Sequence, residues 1–80
     1  LETWNHYYLI SFSNLGKKEE DLFKELEKPD FIEDNQNQKI FYYKNKGEDE
    51  FGNIFSYKFI LLNGSVIKVE SEISVKAIIN

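Results

Sequence analysis

Phe59-Ile60-Leu61-Leu62-Asn63-Gly64-Ser65-Val66-Ile67-Lys68-Val69 is the stretch whose reading decides the fold. Two runs rich in β-branched and aromatic residues flank Asn63-Gly64, a dipeptide that invites a two-residue type I′ turn. Counting outward from such a turn sets Phe59 opposite Lys68 and Tyr57 opposite Glu70, mixing apolar and charged side chains on one face. A three-residue loop changes the parity. Tyr57, Phe59 and Leu61 then share a face with Ile67 and Val69, while Lys58, Lys68 and Glu70 share the other. A slip of one residue moves every side chain of a strand to the opposite face, so the apolar pattern outranks the dipeptide. The expectation is an odd-length loop with Gly64 at positive φ.

Outward from this hairpin, one strand begins near Ile54, and the other continues past Glu70 toward Ile73-Ser74-Val75-Lys76-Ala77-Ile78, a tail able to form a fifth strand after a bend. Lys39-Ile40-Phe41-Tyr42-Tyr43-Lys44 reads as a further strand, and Asn45 to Asn53, with its two glycines, as loop. Asp30 to Gln38 is polar apart from Phe31 and Ile32 and reads as a connection. Between Lys17 and Lys28 the period becomes helical, with Leu22, Phe23 and Leu26 on one face. Glu19, Glu20 and Asp21 then lie in a first turn, where they complement the helix dipole, and Pro29 stops the element. Trp4, Tyr8, Ile10 and Phe12 alternate with Asn5, Ser11 and Ser13, a period of two that predicts a strand. The order is β-α-β-β-β: a two-layer α+β domain in which one helix packs on a mainly antiparallel sheet of four to five strands.

Eighty residues make a single domain, 1–80, with a modest core. There is no cysteine and one histidine, His6, so neither a disulfide nor a Cys/His zinc site can be built. All ten basic residues are lysines, set against 14 carboxylates for a formal charge of −4. That balance offers no basic stripe for phosphates and argues against a nucleic-acid ligand. No apolar run approaches the roughly 20 residues needed to span a bilayer. The absence of methionine points to a processed or excised chain.

No nucleophile sits in a catalytic setting, and His6, two residues from Trp4 and from Tyr8, reads as a packed or edge histidine. Glu48-Asp49-Glu50, with Asn45 and Asn53 nearby, lacks the D-x-D-x-[DN]-G spacing of a calcium loop and reads as a solvated turn. Neither catalytic, metal nor cofactor residues are expected. Thirteen aromatics exceed what one helix–sheet interface needs. One helix covers one sheet face, so the other must meet solvent or a partner. The expected core is Leu22, Phe23 and Leu26 against Tyr57, Phe59, Leu61, Ile67 and Val69, completed by Trp4, Ile10 and Phe12. That choice turns Ile54, Lys58, Ile60, Lys68, Glu70 and Glu72 to the reverse face, with Tyr7 and Leu9 outward in the first strand. Either Ile40/Tyr42 or Phe41/Tyr43 must emerge as well. Tyr7, Leu9, Tyr42, Tyr43, Ile54 and Ile60 are therefore the candidate contact residues, apolar positions ringed by charge.

Gly16-Lys17-Lys18-Glu19-Glu20-Asp21-Leu22, followed by Leu26-Glu27-Lys28-Pro29-Asp30, resembles the opening of SmpA/BamE-type domains, small lipoprotein domains related in fold to β-lactamase inhibitory protein. The likeness continues through Ile40-Phe41-Tyr42-Tyr43 and the Asn63-Gly64 hairpin, and spans about residues 16–69. Two departures stand out: Glu27 replaces a glycine, and Trp4 to Ser13 reads as strand where that family has a first helix. The resemblance implies a non-catalytic, envelope-facing module that binds another protein or itself. A different class, suggested by size and charge, is an acidic inhibitor or immunity protein that blocks a basic or nucleic-acid-binding surface.

Overall fold

The computed structural model describes residues 7–74, with side chains from Ile10 onward. Helices α1 (Tyr7–Asn14) and α2 (Glu19–Glu25) precede strands β1 (Phe31–Asn35), β2 (Gln38–Glu48), β3 (Ile54–Leu62) and β4 (Ser65–Ser74). The strands form an antiparallel sheet in sequential order, β1-β2-β3-β4. The domain is thus α+β with two short helices, and it departs from the expected order at both ends of its N-terminal half.

The first departure is α1. The segment expected as a strand is helical from Tyr7, because a period of four places Ile10 and Asn14 on one buried face, whereas the period of two would also bury Phe12, which is 74% exposed. The helix closes locally. The Asn14 side-chain amide donates to the Ile10 carbonyl at 2.8 Å, and Gly16 follows at φ +84°, a left-handed conformation that suits glycine. The sheet also leaves no place for another strand where the chain leaves α1. Gly16 N–H donates to the Val66 carbonyl at 2.8 Å and Val66 N–H to the Lys17 carbonyl at 2.9 Å, so the interhelical linker already pairs with the start of β4. Tertiary pairing here overrides local strand propensity.

Helix α2 is shorter than expected, ending before Leu26, whose extended backbone leads toward Pro29. No side chain caps its N-terminus. Instead the acidic first turn complements the dipole, and Glu19 N–H finds the Gly64 carbonyl at 3.2 Å. The second departure is β1, which occupies the expected connection. It pairs Phe31 with Tyr42 and Asn35 with Gln38 around a Gln36-Asn37 turn in which Gln36 takes φ +56° without a glycine to announce it. Of the expected fifth strand, Ile73 and Ser74 instead continue β4, which pairs regularly with β3 through Glu70 and Glu72 without a bend; its remainder, Trp4 and His6 lie outside the described residues.

At the β3–β4 hairpin both competing signals are met. The turn is the two-residue Asn63-Gly64, with φ of +51° and +83°, and Leu62 pairs with Ser65. The loop is therefore not odd-length, although Gly64 has the expected positive φ. Parity is restored inside β4 by a bulge: Leu61 pairs with Val66 but Ile60 with Lys68, leaving Ile67 as the extra residue. Phe59 then faces Val69 and Lys58 faces Glu70. Ile67 is 53% exposed, and Val66 takes its expected place in the core.

The core consists of Ile10, Leu22, Leu26, Phe41, Tyr43, Tyr57, Phe59, Leu61, Val66 and Val69, with Phe55 packed against it. Phe23 stacks on Phe41 at 5.4 Å between ring centroids but stays partly open to solvent. Tyr43 and Phe59 meet edge to face at 5.4 Å. Which β2 pair enters the core is decided by register. Phe41 pairs with Phe59 and Tyr43 with Tyr57, so all four rings point to the helix side.

Candidate interaction surface

The reverse face of the sheet is built row by row from cross-strand partners. Phe31, Tyr42, Lys58 and Glu70 are successive partners across all four strands, and Glu33, Ile40, Ile60 and Lys68 form the adjacent row. Within the first row the Phe31 and Tyr42 rings lie 5.6 Å apart, tilted by 43°. Lys58 Nζ sits 5.9 Å from the Tyr42 ring centroid, at the reach of a cation–π contact, and 3.3 Å from Glu70 Oε1. Lys68 closes on the other oxygen of Glu70 at 3.2 Å. Hydrogen bonds from Lys68 and then Lys58 hold the Glu70 carboxyl below its usual range. The Tyr42 hydroxyl donates to Glu33 Oε1 at 3.4 Å. The result is an apolar strip, with Phe31 58% exposed and Ile40, Tyr42 and Ile60 half-buried, bordered by three charged side chains already fixed against one another.

A second bulge shapes this face. Between Tyr43/Tyr57 and Gly47/Phe55, β2 carries Lys44, Asn45 and Lys46 opposite Ser56 alone. Asn45 takes φ +54° there, and its N–H donates to Ser56 Oγ at 3.1 Å. A concavity of about 480 Å³ opens beside the bulge, lined by residues that include Tyr42, Asn45, Ser56, Lys58, Glu70 and Glu72. The bulge is clamped from the helix side. Asp30 Oδ2 accepts Lys44 N–H at 2.7 Å, Lys46 Nζ lies 2.6 Å from Glu27 Oε1, and the Tyr43 hydroxyl donates to the Glu27 carbonyl at 2.9 Å.

The six candidate contact residues do not form one patch. Tyr42, Ile54 and Ile60 lie at reverse-face positions, as their parity requires. Tyr43 does not: it is fully buried on the helix side, and burial, reinforced by Glu27 and Asp30, raises the pKa of its phenol. The backbones of Tyr7 and Leu9 belong to α1 rather than to a strand, and their side chains lie outside the described residues. Phe31 is absent from the expected set because its segment reads as a connection, whereas Ile40 emerges with Tyr42 as one of the two expected alternatives. The Phe31-Ile32 pair, flanked by carboxylates, was the available signal.

Several carboxylates elsewhere have structural partners. Asp49 closes the β2–β3 loop by accepting N–H bonds from Phe51 and Asn53, each at 2.9 Å, and the Asn53 side-chain amide, also at 2.9 Å. Burial works against its charge, but the bonds from Asn53, Phe51 and Gly52 outweigh it and lower its pKa. Glu19 pairs with Lys39 at 3.0 Å. Among the described residues no group of His, Cys, Asp and Glu is arranged to hold a metal ion, and no helix is long and apolar enough to cross a membrane. No family model matches the chain, and no match is found among curated proteins or solved structures.

Proposed function

We propose that this domain is a non-catalytic protein-binding or scaffolding module whose contact surface is the reverse face of the sheet. The observation that carries the reading is the Phe31–Tyr42–Lys58–Glu70 row with Ile40 and Ile60 beside it. An apolar strip whose charges are mutually paired desolvates at lower cost than one with free ions, and a tyrosine ring buries area while its hydroxyl tolerates water. The finer form of the reading is an SmpA/BamE-like envelope lipoprotein domain of two layers, binding another protein or a second copy. What supports it is α1, a helix where the resemblance calls for one, and the placement of Gly16 and Asn63-Gly64 at left-handed turns within the resembling stretch.

The test is Tyr42→Ser, measured for thermal stability and for partner retention in extract from the source cells. A central tyrosine is expected to cost more than about tenfold in affinity, with the fold intact. A wild-type domain that is strictly monomeric and retains no partner overturns the reading, as does a Tyr42→Ser variant that binds as tightly as wild type. The acidic-inhibitor reading draws on the carboxylates along β1. It predicts affinity that falls steeply with salt, whereas binding through the reverse-face strip is nearly salt-independent.

A further inference from the structure

We propose that the outer edge of β1 accepts an extended, lysine- or arginine-bearing segment of another protein as an added antiparallel strand. The inference rests on the protein-binding reading and names the chemistry of the partner. A two-residue turn closes on a hydrogen-bonded pair, here Asn35 with Gln38, so Glu33 and Phe31 also turn their backbone groups toward β2. Ile32 and Asp34 therefore point their N–H and C=O groups outward, and neither bonds through its backbone to another described residue outside the ladder. At the opposite edge the molecule already performs this kind of addition, since the Gly16–Lys18 linker pairs with the first residues of β4. At β1 no described segment does so.

Side chains then select the occupant. Phe31 and Ile32 remain 58% and 44% exposed on opposite faces of the edge, offering apolar contact above and below an incoming strand. Every charge on β1 is negative: Glu33 and Asp34, with Asp30 just ahead. Pairing with the same edge of a second copy is disfavoured by register. An antiparallel self-pairing that matches outward residues must centre on Ile32, Glu33 or Asp34. Those three centres set Asp30 against Asp34, Glu33 against Glu33, or Asp34 against Asp34. Directly opposed like charges destabilise a ladder, while opposite charges stabilise it. The edge therefore rejects itself and fits a strand with basic residues at alternate positions.

The experiment is amide hydrogen exchange on the 80-residue chain, with short peptides alternating lysine and valine or glutamate and valine as probes. The lysine peptide should slow exchange at Ile32 and Asp34, by about a hundredfold at a hundred times its dissociation constant. The Asp34→Lys variant, altered at one exposed side chain outside the reverse-face row, should weaken that peptide by about tenfold and gain the glutamate peptide. Ile32→Pro removes an outward N–H that serves no described partner, and should abolish the protection. Exchange at Ile32 and Asp34 that the lysine peptide leaves unchanged overturns the proposal, as does equal protection by both peptides. If the edge fails while Tyr42→Ser still abolishes partner binding, the edge inference alone falls and the protein-binding reading stands.

Discussion

Deleting Ile67 from the middle of β4 is expected to leave the domain folded. The deletion turns Val66-Ile67-Lys68-Val69 into Val66-Lys68-Val69, a strict alternation of inward, outward and inward side chains. Leu61 keeps Val66 as its partner, Ile60 keeps Lys68 and Phe59 keeps Val69, because the residue removed is the one the bulge leaves over. No regular pairing is lost. Ile67 is 53% exposed, and full burial of such a side chain is worth about 1.5–3 kcal/mol, so roughly half that, about 1 kcal/mol, is at stake. The competing arrangement, a three-residue loop with no bulge, makes the opposite forecast. The same deletion would then invert one side of the hairpin and drive Lys68 or Glu70 toward Phe59. That exposes Val69, a core residue in that register, at about 1.5–3 kcal/mol and buries a charge besides, a large share of what a domain of this size can absorb. Urea unfolding of the deletion variant separates the two. As a matched control, deleting Lys58 from the regular part of β3 should turn Tyr57 and Phe55 outward and unfold the chain. A loss of more than about 3 kcal/mol for the Ile67 deletion would refute the bulged register.

Two further outcomes follow from the packing. Phe59→Ala, at the fully buried centre of the sheet, should cost about 3–5 kcal/mol, whereas Phe23→Ala, stacked on Phe41 but partly solvated, should cost about 1–2 kcal/mol; equal losses in chemical denaturation would show that α2 is misplaced. Tyr43→Phe removes the bond to the Glu27 carbonyl and should cost about 1 kcal/mol at neutral pH. Because burial raises the Tyr43 pKa above its usual 10.0, the wild-type phenol stays neutral in the fold while the unfolded chain ionises. Its contribution is therefore complete below pH 10 and is lost as pH rises above it, so the gap between variant and wild type should narrow there; a gap constant from pH 7 to 11 contradicts the burial of this hydroxyl.

The parts legible in the sequence are those where a single period survives over several residues. Burial alternates along β3 from Tyr57 to Leu61, so the period of two alone places Tyr57, Phe59 and Leu61 inward and Ile54 and Ile60 outward. Leu22 within α2 and Leu26 at its C-cap show the helical spacing of four in the same way. Strand β4 is less legible, because its bulge makes two inconsistent periods out of one strand, and the resulting parity clash reads equally as a longer loop or as an extra residue. Such a clash locates a frame shift between two strands without saying where along the hairpin it occurs. The Phe41/Tyr43 ambiguity has a related origin. Parity across the β2–β3 connection requires counting through Lys44–Lys46, where three residues oppose one, and nothing in those residue types marks the excess.

The N-terminal segment fails for a different reason, and the reason bears on the candidate surface. Tyr7 to Phe12 is rich in residues that favour strands, yet a strand there would need a free sheet edge, and the start of the β4 edge is taken by Gly16–Lys18. The helical alternative buries Ile10 and Asn14 and leaves Phe12 in solvent, an arrangement favoured by the pairing of distant segments and not by local preference. Once α1 and α2 both contribute to the core, the helix side holds Phe41, Tyr43, Tyr57 and Phe59 together, and the surplus of aromatics is largely absorbed there. What remains on the reverse face is narrower than composition suggested: Tyr42 with Phe31, supported by Ile40 and Ile60. A smaller patch makes the stronger argument for contact. Its one tyrosine already touches Phe31, Lys58 and Glu33, contacts that favour one placement of the ring and lower the entropy cost of burying it against a partner.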